Sequence, residues 1–181
     1  MKDIQTDRLV VRAFEEGDIP AFTAVTRSAF GGTGEGCGEQ VRYFELAERV
    51  HEQLKQPPYG DRAVVLKGSG ELIGAVGFVP CLAPFGQLPG FGGREGCAFT
   101  PEVGLFWAVH RDHQRRGYAT EAAEAMIGYA LDELRVGRLV ATTERDNLPS
   151  IGVMKKLQMR VERNPFATPE WFQVVGVLER R

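Results

Sequence analysis

"HQRRGYATEAAEAMIGYA", residues 113–130, sets a polar turn with two arginines and a glycine directly against an alanine-rich run. Ala119, Ala122, Ala123, Met126, Ile127, Ala130, Leu131 and Leu134 recur at the i, i+3, i+4, i+7 spacing of one helix face. The seven residues "VGLFWAV" (103–109) before the turn are apolar throughout and read as a buried strand, and "RLVATT" (138–143) after the helix reads as another. A strand–helix–strand unit therefore occupies the middle of the chain. Its turn has a chemical bias. The first amides of a helix lack internal acceptors and the helix dipole adds partial positive charge, so this end attracts phosphate. Gly117 lets the main chain approach a bulky anion, Arg115 and Arg116 add forked donors, Ala119 keeps the turn open and Thr120 offers a hydroxyl.

Outward from this unit, "RLVVRAF" (8–14) reads as a first strand and "EEGDIPAFTAVT" (15–26) as a helix with an acidic opening. The glycine-rich "RSAFGGTGEGCGEQ" (27–40) holds neither a G-x-G-x-x-G register nor a following G-K-[ST], so it reads as a flexible link between helices. Residues 39–55 keep helical apolar spacing up to Pro57 and Pro58. "RAVVLK", "GSG" and "ELIGAVGFV" read as a hairpin. The Pro/Gly-rich stretch 81–100 is long enough to be a substrate-facing lid or a surface excursion. A short helix over about 149–157 and a final strand "WFQVVGVLE" (171–179) complete a mixed α/β (α+β) domain, expected as one unit over 1–181.

Composition excludes several classes. A formal net charge of −2 provides no field for nucleic acid or an anionic membrane surface, and no run approaches the length of a membrane span. With charges in its first residues instead of an apolar export segment, the protein is expected in the cytoplasm. Cys37, Cys81 and Cys97 show no C-x-x-C pairing and read as idle thiols. His110 and His113 have H-x-x-H spacing without a third ligand or the H-E-x-x-H helix, so no metal is expected.

Gln114 to Ala119, Q-x-x-G-x-A between strand and helix, resembles the acetyl-CoA pyrophosphate motif of the GNAT acetyltransferase superfamily. "TDRLVVRAFEEGDIPAF" and "ERDNLPSIGVMKKLQM" resemble the N-terminal element and the Asn-x-x-Ser helix of its ribosomal-protein-alanine-acetyltransferase-like branch. The resemblance covers nearly the whole chain and is weakest over 28–60 and 80–100. It implies a GNAT-like fold and transfer of acetyl from acetyl-CoA to a primary amine, of a protein N-terminus or a small molecule, by direct attack on the thioester. Val109, His110 and Arg111 then pair with the pantetheine arm; Arg115, Arg116, Gly117, Tyr118, Ala119 and Thr120 cradle the pyrophosphate; Asn147 contacts the arm. Asn147 also suits a helix N-cap, with Pro149 in the first turn.

Many members use a tyrosine seven residues after that asparagine as the acid, but Met154 stands there, which turns attention to Ser150. Glu102 is the implied base, with a surface or strand-entry role as the other reading, because the stretch to Gly117 is two residues longer than usual, which moves it roughly 6–7 Å along the strand. Gln158 stands where the family has a helix-ending glycine, and is expected to shift that helix end. A non-catalytic acyl-CoA-binding module is the other reading that the missing tyrosine leaves, and a monomer or homodimer is expected.

Overall fold

Long apolar runs become strands and two-faced stretches become helices, in an order that splits the chain twice. The computed structural model describes residues 1–180 and divides into two compact units, one of residues 1–79 with 106–129 and one of residues 80–105 with 130–180. Strands β1 to β8 follow the order β1-β2-β3-β4-β5-β6-β8-β7. The mixed α/β class expected from sequence is the class observed, with four α-helices among the described residues.

The first unit opens with β1 (Ile4–Gln5) and β2 (Leu9–Arg12), then α1 (Ile19–Phe30), α2 (Cys37–Gln53) and β3 (Gly60–Leu66). It also takes the start of β4 (Leu72–Ala83), the end of β5 (Thr100–Val109) and α3 (Tyr118–Gly128). β1, β2, β3 and β4 pair antiparallel in succession. Their core is aromatic: Phe14, Phe22 and Val25 pack with Val41, Ala63, Val65, Ala75 and Ala108, and the Phe14 and Phe22 rings meet edge to face at 4.9 Å. The glycine-rich link is shorter than expected because α2 starts at Cys37, which buries its side chain in this core. α3 ends as an α-helix at Gly128 and runs on as a single π turn, Tyr129–Glu133.

The second unit pairs β5 with β6 (Arg138–Thr143) in parallel, through Val103 opposite Leu139 and Gly104 opposite Val140. β8 (Val174–Glu179) runs antiparallel to β6 and to β7 (Arg160–Arg163). β7 was not expected, because a four-residue "RVER" carries too little apolar alternation to register as a strand. β8 starts at Val174, so Trp171 and Phe172 stand outside it; Phe172 is buried and Trp171 exposed.

The stretch 81–100 differs most from its reading as a lid or excursion. Residues 85–91 wind into two 3₁₀ turns that sink Phe85 and Leu88 into a core with Val140, Phe172, Val175 and Val177. Buried Asn164 donates to the Gln87 side-chain oxygen at 2.9 Å, and the Gly90 amide donates to Glu162 at 2.7 Å. Ala83 to Leu88 are thus a fixed part of the core, and from Pro89 on most of the stretch is exposed.

The short helix is α4 (Leu148–Lys156). Gln158 itself takes the left-handed conformation, φ 59°. Its amide reaches the Lys155 carbonyl at 3.1 Å and the Met159 amide reaches Met154 at 3.0 Å, the pair of bonds that closes a Schellman motif. The glutamine accepts backbone strain because the buried Met154 and Met159 on either side leave the chain no other exit.

Candidate active site

The turn between β5 and α3 is built almost entirely from backbone. The His110 amide bonds to the Ile73 carbonyl at 2.8 Å and the Arg111 amide to the Ser28 hydroxyl at 2.6 Å. Gln114, first residue of the motif, folds back so that its side-chain amide donates to the Val109 carbonyl at 2.9 Å. The loop is therefore fixed at both ends, and three of the expected cofactor residues, Val109, His110 and Arg111, stand at its root.

Beyond Gln114 the pattern of bonds stops. Arg115 has φ 60° and Gly117 φ 86°, with Arg116 between them outside the left-handed region. Such alternation turns successive N–H groups toward one side and makes an anion-binding nest. The first bond within α3 runs from the Glu121 amide to the Gly117 carbonyl at 3.0 Å, so the amides of Tyr118, Ala119 and Thr120 have no acceptor in the helix. Those of Arg115, Arg116 and Gly117 have no partner among the described residues either. A Cβ on Gly117 would meet only Arg8 Nη2, at 3.3 Å, so the space before the turn is free of protein. The expected residues 115–120 thus bring a run of backbone donors without protein acceptors together at one turn. Sequence reading missed that Arg115 shares the left-handed geometry with Gly117.

It also missed what holds the turn. The Arg8 guanidinium donates from Nε to Glu121 at 2.7 Å and from Nη1 to the Arg116 carbonyl at 3.0 Å, and lies 4.5 Å over the Tyr118 ring. The Thr6 hydroxyl and Arg8 amide both donate to the other Glu121 oxygen, at 2.6 and 2.9 Å. Burial works to raise the Glu121 pKa, but these bonds and the guanidinium charge outweigh it and leave the carboxyl below its ordinary value. The "TDR" segment carried the signal: two donors bracketing a turn, with nothing local to bind.

His110 and His113 do not point at a common centre. The His110 ring accepts from the Asp112 amide at 3.4 Å, and His113 Nε2 lies 3.2 Å from Glu71. The H-x-x-H spacing serves the loop.

In the second unit, Asn147 caps α4: its side-chain oxygen accepts from the Ser150 amide at 3.2 Å. Ser150 is half-buried in the first turn with its hydroxyl uncommitted among the described residues. Glu102, the expected base, accepts from Arg138 Nη1 at 2.7 Å, and Arg138 also reaches Glu179. That bond and the Glu102 charge raise the Arg138 pKa, and the same pairing commits the Glu102 carboxylate to a guanidinium. Burial and the Glu102 charge push the Cys81 thiol pKa up, so Cys81 is a poor nucleophile.

Comparison with known proteins is decisive at this point. The acetyltransferase (GNAT) domain model matches residues 8–160. The chain is a member of the GNAT acetyltransferase family. Among curated relatives it resembles the uncharacterized N-acetyltransferase YnaD of Bacillus subtilis, 31% identical over 166 residues, 88% of this chain and 83% of the relative. The solved acetyltransferase of Agrobacterium tumefaciens aligns over 99% of this chain and 95% of its own with a TM-score of 0.72 at 21% identity. RimL, a ribosomal L7/L12 alpha-N-protein acetyltransferase solved in complex with coenzyme A, aligns over 99% and 97% with a TM-score of 0.64 at 14% identity. This GNAT protein is an acetyltransferase whose donor is acetyl-CoA. Among the described residues, no helix is long and apolar enough to cross a membrane.

Proposed function

We propose that the protein transfers the acetyl group of acetyl-CoA to a primary amine, of a protein N-terminus or a small molecule, within one catalytic domain over 1–181. The observation that carries the reading is the run of uncommitted amides from Arg115 to Thr120, arranged for a diphosphate rather than for a nucleotide triphosphate with its lysine. Similarity to proteins named N-acetyltransferases, and to a ribosomal-protein alpha-N-acetyltransferase, supports an amine as acceptor.

Acetyl-CoA supplies an acyl carbonyl already activated by sulfur. The chain's own residues do the rest. Arg115, Arg116, Gly117, Tyr118, Ala119 and Thr120 hold the phosphates. Val109, His110 and Arg111 guide the arm, with Asn147 as a further contact, and the Val109 amide stabilises the oxyanion. Ser150 passes a proton to the departing sulfur, directly or through water, in place of the absent tyrosine. Glu102 is the family's base position, and its bond to Arg138 argues for a second carboxyl elsewhere. The protein acts as a monomer or homodimer in the cytoplasm without nucleic acid. Calorimetry with acetyl-CoA and with ATP, followed by thiol release with a panel of amines and N-terminal peptides, tests this. Preference for ATP, or donor binding with no amine-dependent thiol release, would overturn it.

A further inference from the structure

At the start of β3 in the first unit one carboxyl stands without a partner. Asp61 makes no hydrogen bond or ion pair among the described residues, and although the residue keeps some solvent contact its Oδ1 is sealed off. Every neighbouring charge is committed: Glu48 on α2 accepts from Arg62 at 2.9 Å and from the terminal amine at 2.8 Å, and Arg62 also reaches Asp3. Asp61 borders a shallow recess of about 10 Å³, room for one water- or ammonium-sized group, open to solvent and walled by Phe44, Pro58 and Tyr59 beside Glu48 and Arg62. The other titratable group on this side is His51 of α2, whose ring meets Tyr59 edge to face at 5.6 Å and whose Nδ1 is buried without a partner.

The opposite strand passes close to this residue. Gly77 of β4 lies directly across from Asp61, and a Cβ there would clash first with the Gly60 carbonyl, then with the Asp61 Cα at 2.6 Å and Oδ1 at 2.9 Å. Along β4, Gly77 is four residues from Ile73, whose carbonyl anchors His110 at the root of the cradle. At ~3.3 Å per residue Gly77 is roughly 13 Å along β4 from Ile73, and Asp61 is one strand further from that root. It is therefore too far to serve the phosphates. An unpaired carboxyl with aromatic and prolyl walls suits a cation carried on an apolar neck, through charge and ring faces together.

We propose that Asp61 receives the primary ammonium of the acceptor and takes one of its protons, so that R–NH₃⁺ and the carboxylate become R–NH₂ and the carboxylic acid. The neutral amine then forms the C–N bond as the C–S bond breaks, and one nitrogen proton leaves to the thiolate. This rests on the amine-acetyltransferase reading and deepens it by placing the base that Glu102, bound to Arg138, fills poorly. Burial raises the Asp61 pKa from its ordinary 3.8 to about 7, which suits a group that must take a proton near neutrality and give it up again.

Asp61→Asn keeps the shape of the side chain and tests the assignment in three measurements. Calorimetry with acetyl-CoA alone gives equal affinity for both proteins, which shows that the variant is folded and its cradle intact. Infrared difference spectra at pH 7, with n-butylamine hydrochloride as probe and no acetyl-CoA, show a protonated carboxyl ionising as it pairs with the docked ammonium, the state that precedes proton transfer, in the wild type and not in the variant. Thiol release with the same amine falls at least ~100-fold in the variant. In the wild type kcat/KM rises with pH to a bend near 7, which the variant lacks; Glu48, His51, Tyr59 and Arg62 remain unchanged in both. A full-rate variant with the same bend, or an amine that leaves the carboxyl spectrum unaltered, would overturn the role of Asp61 alone. A wild type that does not bind acetyl-CoA would instead overturn the underlying reading.

Discussion

Gly117→Ala separates the geometry of the cradle from the stability of the fold. The residue sits at φ 86°, and its new Cβ would touch only the flexible end of Arg8, at 3.3 Å. A left-handed alanine costs about 1–2 kcal/mol, and replacing glycine returns about 0.4–1 kcal/mol through the unfolded chain. The net loss of stability is therefore about 1 kcal/mol, roughly 2–4 °C in Tm for a chain of this size. Binding suffers more, because the methyl group projects where the anion must approach and the strained turn re-aims the free amides. Each hydrogen bond to a charged partner is worth about 1.5–3 kcal/mol, so losing the alignment of one weakens acetyl-CoA roughly 10- to 150-fold. Calorimetric titration gives the affinity, and a thermal melt without ligand gives the stability. A variant whose Tm falls as expected but whose acetyl-CoA affinity stays within about twofold of wild type would show that this turn does not hold the pyrophosphate.

Gln158→Gly should stabilise the protein by about 0.5–1 kcal/mol, since glycine adopts φ 59° freely, with unchanged acetyl-CoA affinity; a lower Tm would mean that the glutamine side chain contributes something its backbone strain conceals. Arg8→Met should weaken acetyl-CoA a fewfold with kcat unchanged and be partly rescued by Arg8→Lys, and in a double-mutant cycle with Glu121→Gln the coupling should be no more than about 1 kcal/mol because the Arg8 side chain is 46% exposed. The Glu121 pKa lies below its ordinary value, so its contribution is present at neutral pH and is lost as acid titrates the carboxyl, and a melt series on wild type and Glu121→Gln should converge there. Ser150→Ala keeps the backbone amide that caps α4 through Asn147, so the helix survives and turnover should fall more than acetyl-CoA affinity; full turnover would remove the hydroxyl from the reaction.

What sequence revealed was whatever chemistry dictates locally. A glycine beside paired arginines at a helix entrance is legible because the free amides of a first turn are a property of any helix, and the motif needed no distant residue to be recognised. Asn147 was legible as the cap of α4 for the same reason. The Pro/Gly-rich stretch before β5 misled because composition argued for a mobile loop. The spacing of Phe85, Leu88 and Phe91 held a quieter signal: apolar residues three apart, the period of a 3₁₀ turn, two of them fully buried.

The rest depended on partners far away in the chain. Glu102 reads as a free carboxylate until Arg138, 36 residues later, is found 2.7 Å from it. Asp61 reads as an ordinary polar strand entry until its neighbours prove to be paired with one another. The two residues differ in their surroundings: Glu102 is committed to a guanidinium, while Asp61, deprived of water and partners, gains basicity and is uncomfortable when charged. That discomfort has a sign in stability. Because the folded pKa of Asp61 is raised from 3.8 to about 7, its favourable contribution is full in acid, below the unfolded value, and is lost as pH climbs through 7. Asp61→Asn should therefore gain on the wild type in Tm between about pH 4 and pH 8, even as it loses the reaction. Stability gained together with turnover lost is the pattern of a charge retained for chemistry, and a variant that loses both would mark Asp61 as part of the scaffold.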